Sequence, residues 1–211
     1  MLHYEMVSAA DPKSQHLMIV LHGLGDSIEG YRWLPSMLNL PWLNYALVNA
    51  PDDYFGGFSW YDIQGDSHSG VVRSRKLLFE LVDHFQAEGY SSQNIFFFGF
   101  SQGCLMTWEI GMRYPHALAG CVGISGYLHQ SDSLLAEAAP TAKERQFLVT
   151  HGHHDPLIPL APVKADVEKM KEHGIQVSWH EFAKEHTIAG EEEINVIRDF
   201  LVKQGQDKPR E

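Results

Sequence analysis

The chain has 211 residues, of which 44% are hydrophobic and 20% charged, proportions expected of one globular domain around a single core; they exclude a disordered or repeat protein. Lys and Arg number 16 against 27 Asp and Glu, and the resulting formal charge of −11 excludes nucleic acid or an anionic membrane surface as the main partner, because both reward clustered positive charge. No run of about 18 apolar residues offers a membrane span, and the start MLHYEMVSAADPKSQH lacks a signal-peptide pattern; stable membrane insertion is therefore not expected, and a cytoplasmic location is.

Along the chain, short β-branched or aromatic runs alternate with longer amphipathic stretches, the pattern of βα units that feed a mostly parallel sheet flanked by helices on both faces. An antiparallel edge strand at about His3–Val7 precedes core strands at His16–Leu21, Tyr45–Ala50, Asn94–Phe100, Ala119–Ser125, Arg145–Thr150 and Ile175–Phe182. Between them, Val71–Phe85 places Val71, Leu78, Leu81, Val82 and Phe85 on one helical face, with Arg75 as a long polar stem at its margin. Ser101–Tyr114, Pro162–His173 and Glu191–Lys203 read as helices in the same way, and Gln204–Glu211 as a loose polar tail. All 211 residues are thus expected to form a single domain. One segment breaks the alternation. Pro51–Gly70, PDDYFGGFSWYDIQGDSHSG, holds turn formers and aromatics without a clear period, and loops of that length are often functional. Cys104 and Cys121 lie in apolar stretches and read as packing residues, since two cysteines supply neither a disulfide framework nor a metal cage.

The sharpest chemical signal is Gly99-Phe100-Ser101-Gln102-Gly103, a G-x-S-x-G that follows the strand NIFFFGF and precedes a helix. That is the setting of a nucleophile elbow, where a strained turn lifts the serine hydroxyl above the sheet. Ser125, in the related string GISG, lacks the final glycine and the following helix and reads as a turn residue. A serine nucleophile needs a histidine within hydrogen-bond reach and a carboxylate to orient it, in the chain order Ser, Asp, His. Asp155, after RQFLVT, and His186, after QVSWHEF, both lie just past strand ends, with Asp132 as the reserve acid. The oxyanion needs backbone donors, for which the N–H groups of Gln102 and Leu24 are the candidates, the latter in the turn Leu21-His22-Gly23-Leu24-Gly25-Asp26. The cluster HGHHD lacks the spacing of known metal motifs, so no metal is expected, and the remaining histidines read as surface, edge or structural residues.

These motifs resemble those of the acyl-protein thioesterase and carboxylesterase family of α/β-hydrolases, also described as phospholipase/carboxylesterase-like. The matches run in the family's order over nearly the whole chain: Leu21–Asp26, Ser59-Trp60-Tyr61-Asp62, Gly99–Gly103, Ser125-Gly126-Tyr127-Leu128, His151-Gly152 with Asp155-Pro156 and Pro159, and His186. The resemblance implies an α/β-hydrolase fold without a large cap domain, hydrolysis of carboxylic esters or thioesters without a cofactor, and in some members a homodimer. It carries the triad onto Ser101, Asp155 and His186 and the oxyanion donors onto Leu24 and Gln102. One departure concerns the histidine, which in the family usually follows a glycine-containing turn and here follows Phe182-Ala183-Lys184-Glu185. For the substrate, a small-molecule or lipid ester or an acyl-protein, the candidate contacts are Phe58, Trp60, Tyr61, Leu128 and Leu157, with packing beneath the loop as the other reading of the loop aromatics. The expected function is a serine carboxylesterase that also accepts thioesters. Its alternatives are a lysophospholipase or acyl-protein thioesterase for long chains, and a catalytically silent binding protein, although such a protein would usually have lost a triad member.

Overall fold

Residues 1–206 are described by the structure, a computed structural model. Its sheet has seven strands, β1 (Tyr4–Val7), β2 (His16–Leu21), β3 (Leu43–Val48), β6 (Ile95–Phe100), β7 (Gly120–Ile124), β8 (Gln146–Gly152) and β9 (Gln176–Phe182), in the spatial order β1-β3-β2-β6-β7-β8-β9. Only β1 runs antiparallel to its neighbour, pairing Tyr4 with Val48 and Val7 with Tyr45 at the edge of β3. The chain leaves β2 for β3 on one side and later crosses back to lay β6 on the other. This switch point, at the carboxyl ends of β2 and β6, is where open α/β sheets open a crevice.

Alternation along the strands divides the core into two layers. In β2, Leu17, Ile19 and Leu21 face α2 (Ser67–Ala87), α3 (Gln102–Arg113) and α5 (Leu160–Glu172), while Met18 and Val20 face α1 (Leu34–Leu38) and α6 (Gly190–Gln206). Removing each such side chain from water contributes about 1.5–3 kcal/mol, so two continuous layers, not local propensity, hold the helices on the sheet. Arg75 is more than a marginal stem: with Arg113 it flanks the buried Glu109 carboxylate, at 2.7 Å each, and so pins α2 to α3.

Several boundaries differ from the sequence expectation. The long segment 51–70 is not wholly irregular: Asp52–Tyr54 (β4) pairs with Gly57–Ser59 (β5) in an antiparallel hairpin, and α2 begins at Ser67, where the Asp66 carboxylate caps it by accepting the N–H of Ser69. The helix at the end of the chain runs through Gln206, so the first three residues of the expected loose tail are helical; 207–211 lie outside the described residues. Both α1 and α4 (Ser131–Ala136) escaped notice because one-turn helices carry too little periodicity to read. Among the described residues, no helix is long and apolar enough to cross a membrane.

Candidate active site

Four loops meet above the carboxyl ends of the central strands. Ser101 connects β6 directly to α3 with φ of 55°, a left-handed conformation that costs a non-glycine residue about 1–3 kcal/mol. Its N–H donates to the Ile124 carbonyl at 2.9 Å and its carbonyl accepts the Leu105 N–H at 3.2 Å, bonds that hold the turn in place. The two flanking glycines are sterically required, since a Cβ on Gly99 would lie 2.1 Å from the Gly103 oxygen and one on Gly103 2.1 Å from the Leu21 oxygen. The elbow is therefore as tight as the chain allows.

The Ser101 hydroxyl lies 2.9 Å from His186 Nε2, and His186 Nδ1 lies 2.7 Å from Asp155 Oδ2. A carboxylate can only accept, so Nδ1 carries the imidazole proton and Nε2 accepts from the serine. The second Asp155 oxygen, Oδ1, accepts the N–H groups of Leu157 and Ile158, both at 2.9 Å. Burial alone would raise the Asp155 pKa, but the Ile158 N–H, His186 and the Leu157 N–H outweigh it, and the carboxyl sits below its ordinary value. Asp132 is elsewhere: 92% exposed and 2.6 Å from Lys169, it is a surface ion pair. Ser125, which also has a positive φ, directly follows β7 and is fully buried with its N–H on the Thr150 carbonyl, as a turn residue.

On the other side of Ser101 lies the turn after β2, close enough that a Cβ on Gly23 would come within 3.3 Å of the Ser101 Cβ. His22 shapes this turn from beneath. Its Nδ1–H donates to the Gly23 carbonyl at 2.6 Å and its Nε2 accepts the Ala50 N–H at 3.0 Å, while the Trp60 indole donates to the His22 carbonyl at 2.9 Å. Gln102 opens α3, where the first N–H groups have no partner within the helix. Its side chain has a second role that the sequence reading missed. Oε1 accepts the Trp60 N–H at 2.9 Å and the Ser59 hydroxyl at 3.3 Å, and Nε2 donates to the Tyr61 carbonyl at 2.9 Å, so the amide fastens Ser59–Tyr61 beside the elbow.

The candidate substrate contacts divide. Trp60 is 0% exposed, and Tyr61 and Leu128 are also buried; Tyr61 bonds the Tyr127 hydroxyl at 3.0 Å, so these side chains pack beneath the loop instead of lining an open groove. Phe58 is half-buried, and Leu157, beside Asp155, is 70% exposed. A cavity of about 330 Å³ borders His186, and its walls include Tyr31, Trp33, Met37, Phe100 and Ile188. No sequence signal marked it, because its walls come from segments far apart in the chain: the stretch that leads into α1, α1 itself, the end of β6 and the turn after the histidine.

The HGHHD histidines diverge. His151 is buried with Nε2 donating to the Ile158 carbonyl at 2.8 Å, and His153 lies 3.5 Å from Glu181 at the surface. Among the described residues, no three His, Cys, Asp or Glu side chains converge as metal ligands. Burial lowers the pKa of His22 and His151 below the ordinary 6.5, against the opposing bonds to the Gly23 and Ile158 carbonyls. The unfolded chain therefore takes up protons at these residues below about pH 6.5 while the fold does not, and stability is lost as pH falls from there toward the folded values. The melting temperature is expected to be level above about pH 7 and to decline below about 6.5; a curve still level at about pH 5.5 would contradict the neutral, buried assignment. Burial likewise pushes the thiols of Cys104 and Cys121 up to about 12, in keeping with inert packing residues.

Comparison with known proteins agrees with this architecture. The model of the phospholipase/carboxylesterase family matches residues 2–204. The acyl-protein thioesterase 1 of Schizosaccharomyces pombe is 32% identical over 155 residues, covering 67% of this chain and 69% of that one, and that of Gibberella zeae is 29% identical over 218 residues, covering 90% and 92%. The crystal structure of esterase PE8 superposes with a TM-score of 0.84 at 25% identity, over 96% of this chain and 98% of that one. The chain belongs to the phospholipase/carboxylesterase family and has the α/β-hydrolase fold.

Proposed function

We propose that the protein is a serine hydrolase that cleaves carboxylic esters and thioesters through an acyl-enzyme on Ser101. The observation that carries this reading is the unbroken chain from the Ser101 hydroxyl through His186 to Asp155, at 2.9 and 2.7 Å. In the first step Ser101 Oγ attacks the acyl carbonyl and its proton passes to His186 Nε2, while Asp155 holds the imidazole and stabilises the cation that forms. The oxyanion is received by the N–H groups of Gln102 and Leu24, aided by the positive end of α3. His186 then returns the proton to the departing alcohol or thiol, and water repeats the sequence to free the acid. The test is turnover of p-nitrophenyl esters from acetate to palmitate against a Ser101→Ala background. Activity confined to short chains assigns a carboxylesterase, activity sustained to palmitate assigns long-chain substrates such as a lysophospholipid or acyl-protein, and no activity above the background refutes the reading.

In this mechanism the cavity that borders His186 receives the leaving group. A tetrahedral intermediate turns its oxygen toward the oxyanion donors and its leaving atom toward His186, so the group attached to that atom falls on the histidine side, against Trp33 and Met37. Trp33→Ala is expected to lower kcat/KM about fivefold for 2-naphthyl acetate and to leave that for methyl acetate within about twofold, since apolar contact of this kind is worth about 1 kcal/mol at a partly exposed site. Equal losses for both esters would place the leaving group elsewhere.

A further inference from the structure

The turn that carries His186 contains a lysine whose ammonium points into the protein. Lys184 Nζ lies 2.6 Å from Glu193 Oε1, and the two side chains are 2% and 0% exposed. Glu193, in the first turn of α6, collects two further donors: the Thr150 hydroxyl in β8 on Oε1 and the Ala189 N–H on Oε2 at 2.5 Å. Backbone bonds reinforce the junction, since the Lys184 carbonyl accepts the His154 N–H at 3.1 Å and the Phe182 carbonyl accepts that of His153 at 2.9 Å. Gly152 permits this contact, because a Cβ there would sit 2.3 Å from the Lys184 oxygen. One buried carboxylate thus joins the strand that leads to Asp155, the turn that carries His186 and the helix that follows.

A fold does not need charges in such a place, for replacing a buried ion pair by groups of similar volume is often neutral or stabilising. Charge-assisted hydrogen bonds add direction, fixing distance and angle at each oxygen. We propose that Lys184 and Glu193 are positioning residues that hold the His186 imidazole in line between Asp155 and Ser101. The inference rests on the serine-hydrolase reading and deepens it, because neither residue touches the reacting atoms. It also gives Lys184 a part in the charged lead-in to His186: the turn is held by a buried ion pair anchored on α6.

The test is the double variant Lys184→Met/Glu193→Gln, which removes both charges, keeps their volume, and leaves the amide oxygen to accept the Ala189 N–H while its NH2 donates to the Thr150 hydroxyl oxygen. The folded variant is expected to keep its KM for p-nitrophenyl acetate within about twofold while kcat falls about 10- to 100-fold, the scale of a small misplacement of a catalytic group. The proton resonance of His186 Nδ1–H, which reports the bond to Asp155, is expected to move upfield or broaden. Unchanged kcat with an unchanged resonance overturns the proposal, as the pair would then serve the fold alone. Should the double variant fail to fold, Thr150→Val takes its place by deleting one donor to Glu193: a fall in kcat of about threefold or more at constant KM supports the proposal, and no change overturns it. Failure of the hydrolase reading is recognised separately, as a parent protein whose activity survives Ser101→Ala, and the resonance still reports whether the pair holds the imidazole.

Discussion

Ser101→Ala is expected to lower kcat for p-nitrophenyl acetate by about four to six orders of magnitude and to move the melting temperature by no more than a few degrees. The size of the loss follows from the proposed covalent route, because without the hydroxyl His186 has only free water to activate. Catalysis that survives comes only from the oxyanion site and from binding. The small effect on folding follows from the bonds that hold the turn. The N–H to Ile124 and the carbonyl to Leu105 are main-chain bonds, and alanine keeps both. Alanine also bears the same left-handed backbone as serine, so the strain at φ of 55° is unchanged. Steady-state kinetics beside a thermal melt separate the two effects; substantial esterase activity in a folded variant would move the nucleophile elsewhere.

Asp155→Asn is expected to cost about four orders of magnitude in kcat, with the fold again retained. The reason lies in which oxygen is already engaged. Asp155 Oδ1 accepts two backbone N–H groups, from Leu157 and Ile158, so an asparagine keeps its carbonyl oxygen there and turns its NH2 toward His186. Two donors cannot face one another, and the imidazole must shift its proton from Nδ1 to Nε2. Nε2 would then present a hydrogen to the Ser101 hydroxyl and could not receive one, leaving the base in the wrong tautomer. The measurement is kcat across pH with a fluorophosphonate labelling rate beside it. A loss of less than about tenfold would show that orientation of His186 does not depend on this carboxylate.

Much of the architecture was legible because the central strands are buried on both faces and read as continuous apolar runs, IFFFGF in β6 and HLMIVL in β2 among them. Ser101 was legible through its glycines, which the close approach of Gly99 to Gly103 and of Gly103 to Leu21 demands. Asp155 and His186 were legible by chain order at strand ends, and the structure brings them into one hydrogen-bonded chain with Ser101. What stayed hidden depends on contacts between distant segments. The three-residue strands β4 and β5 carry no period of their own, and the Gln102 amide makes sense only once Ser59–Tyr61 lies against it. Trp60 and Tyr61 looked equally suited to a groove or a core, since an aromatic side chain serves both, and burial decided for the core. Nothing in the sequence pairs Lys184 with Glu193, which meet only when the turn after β9 packs against the first turn of α6. The cavity that borders His186 escaped for the same reason, as Trp33 and Ile188 come to line it only in the folded chain.

Catalysis through a covalent acyl-enzyme is tested most directly by the intact mass of the protein within the first turnovers of p-nitrophenyl acetate, followed by peptide mapping of the adduct. The predicted result is the mass of one acetyl group, carried on Ser101, lost on standing as the enzyme deacylates and absent from Ser101→Ala. An acetyl group stably mapped to another residue, or turnover with no adduct alongside unimpaired activity of Ser101→Ala, would contradict it.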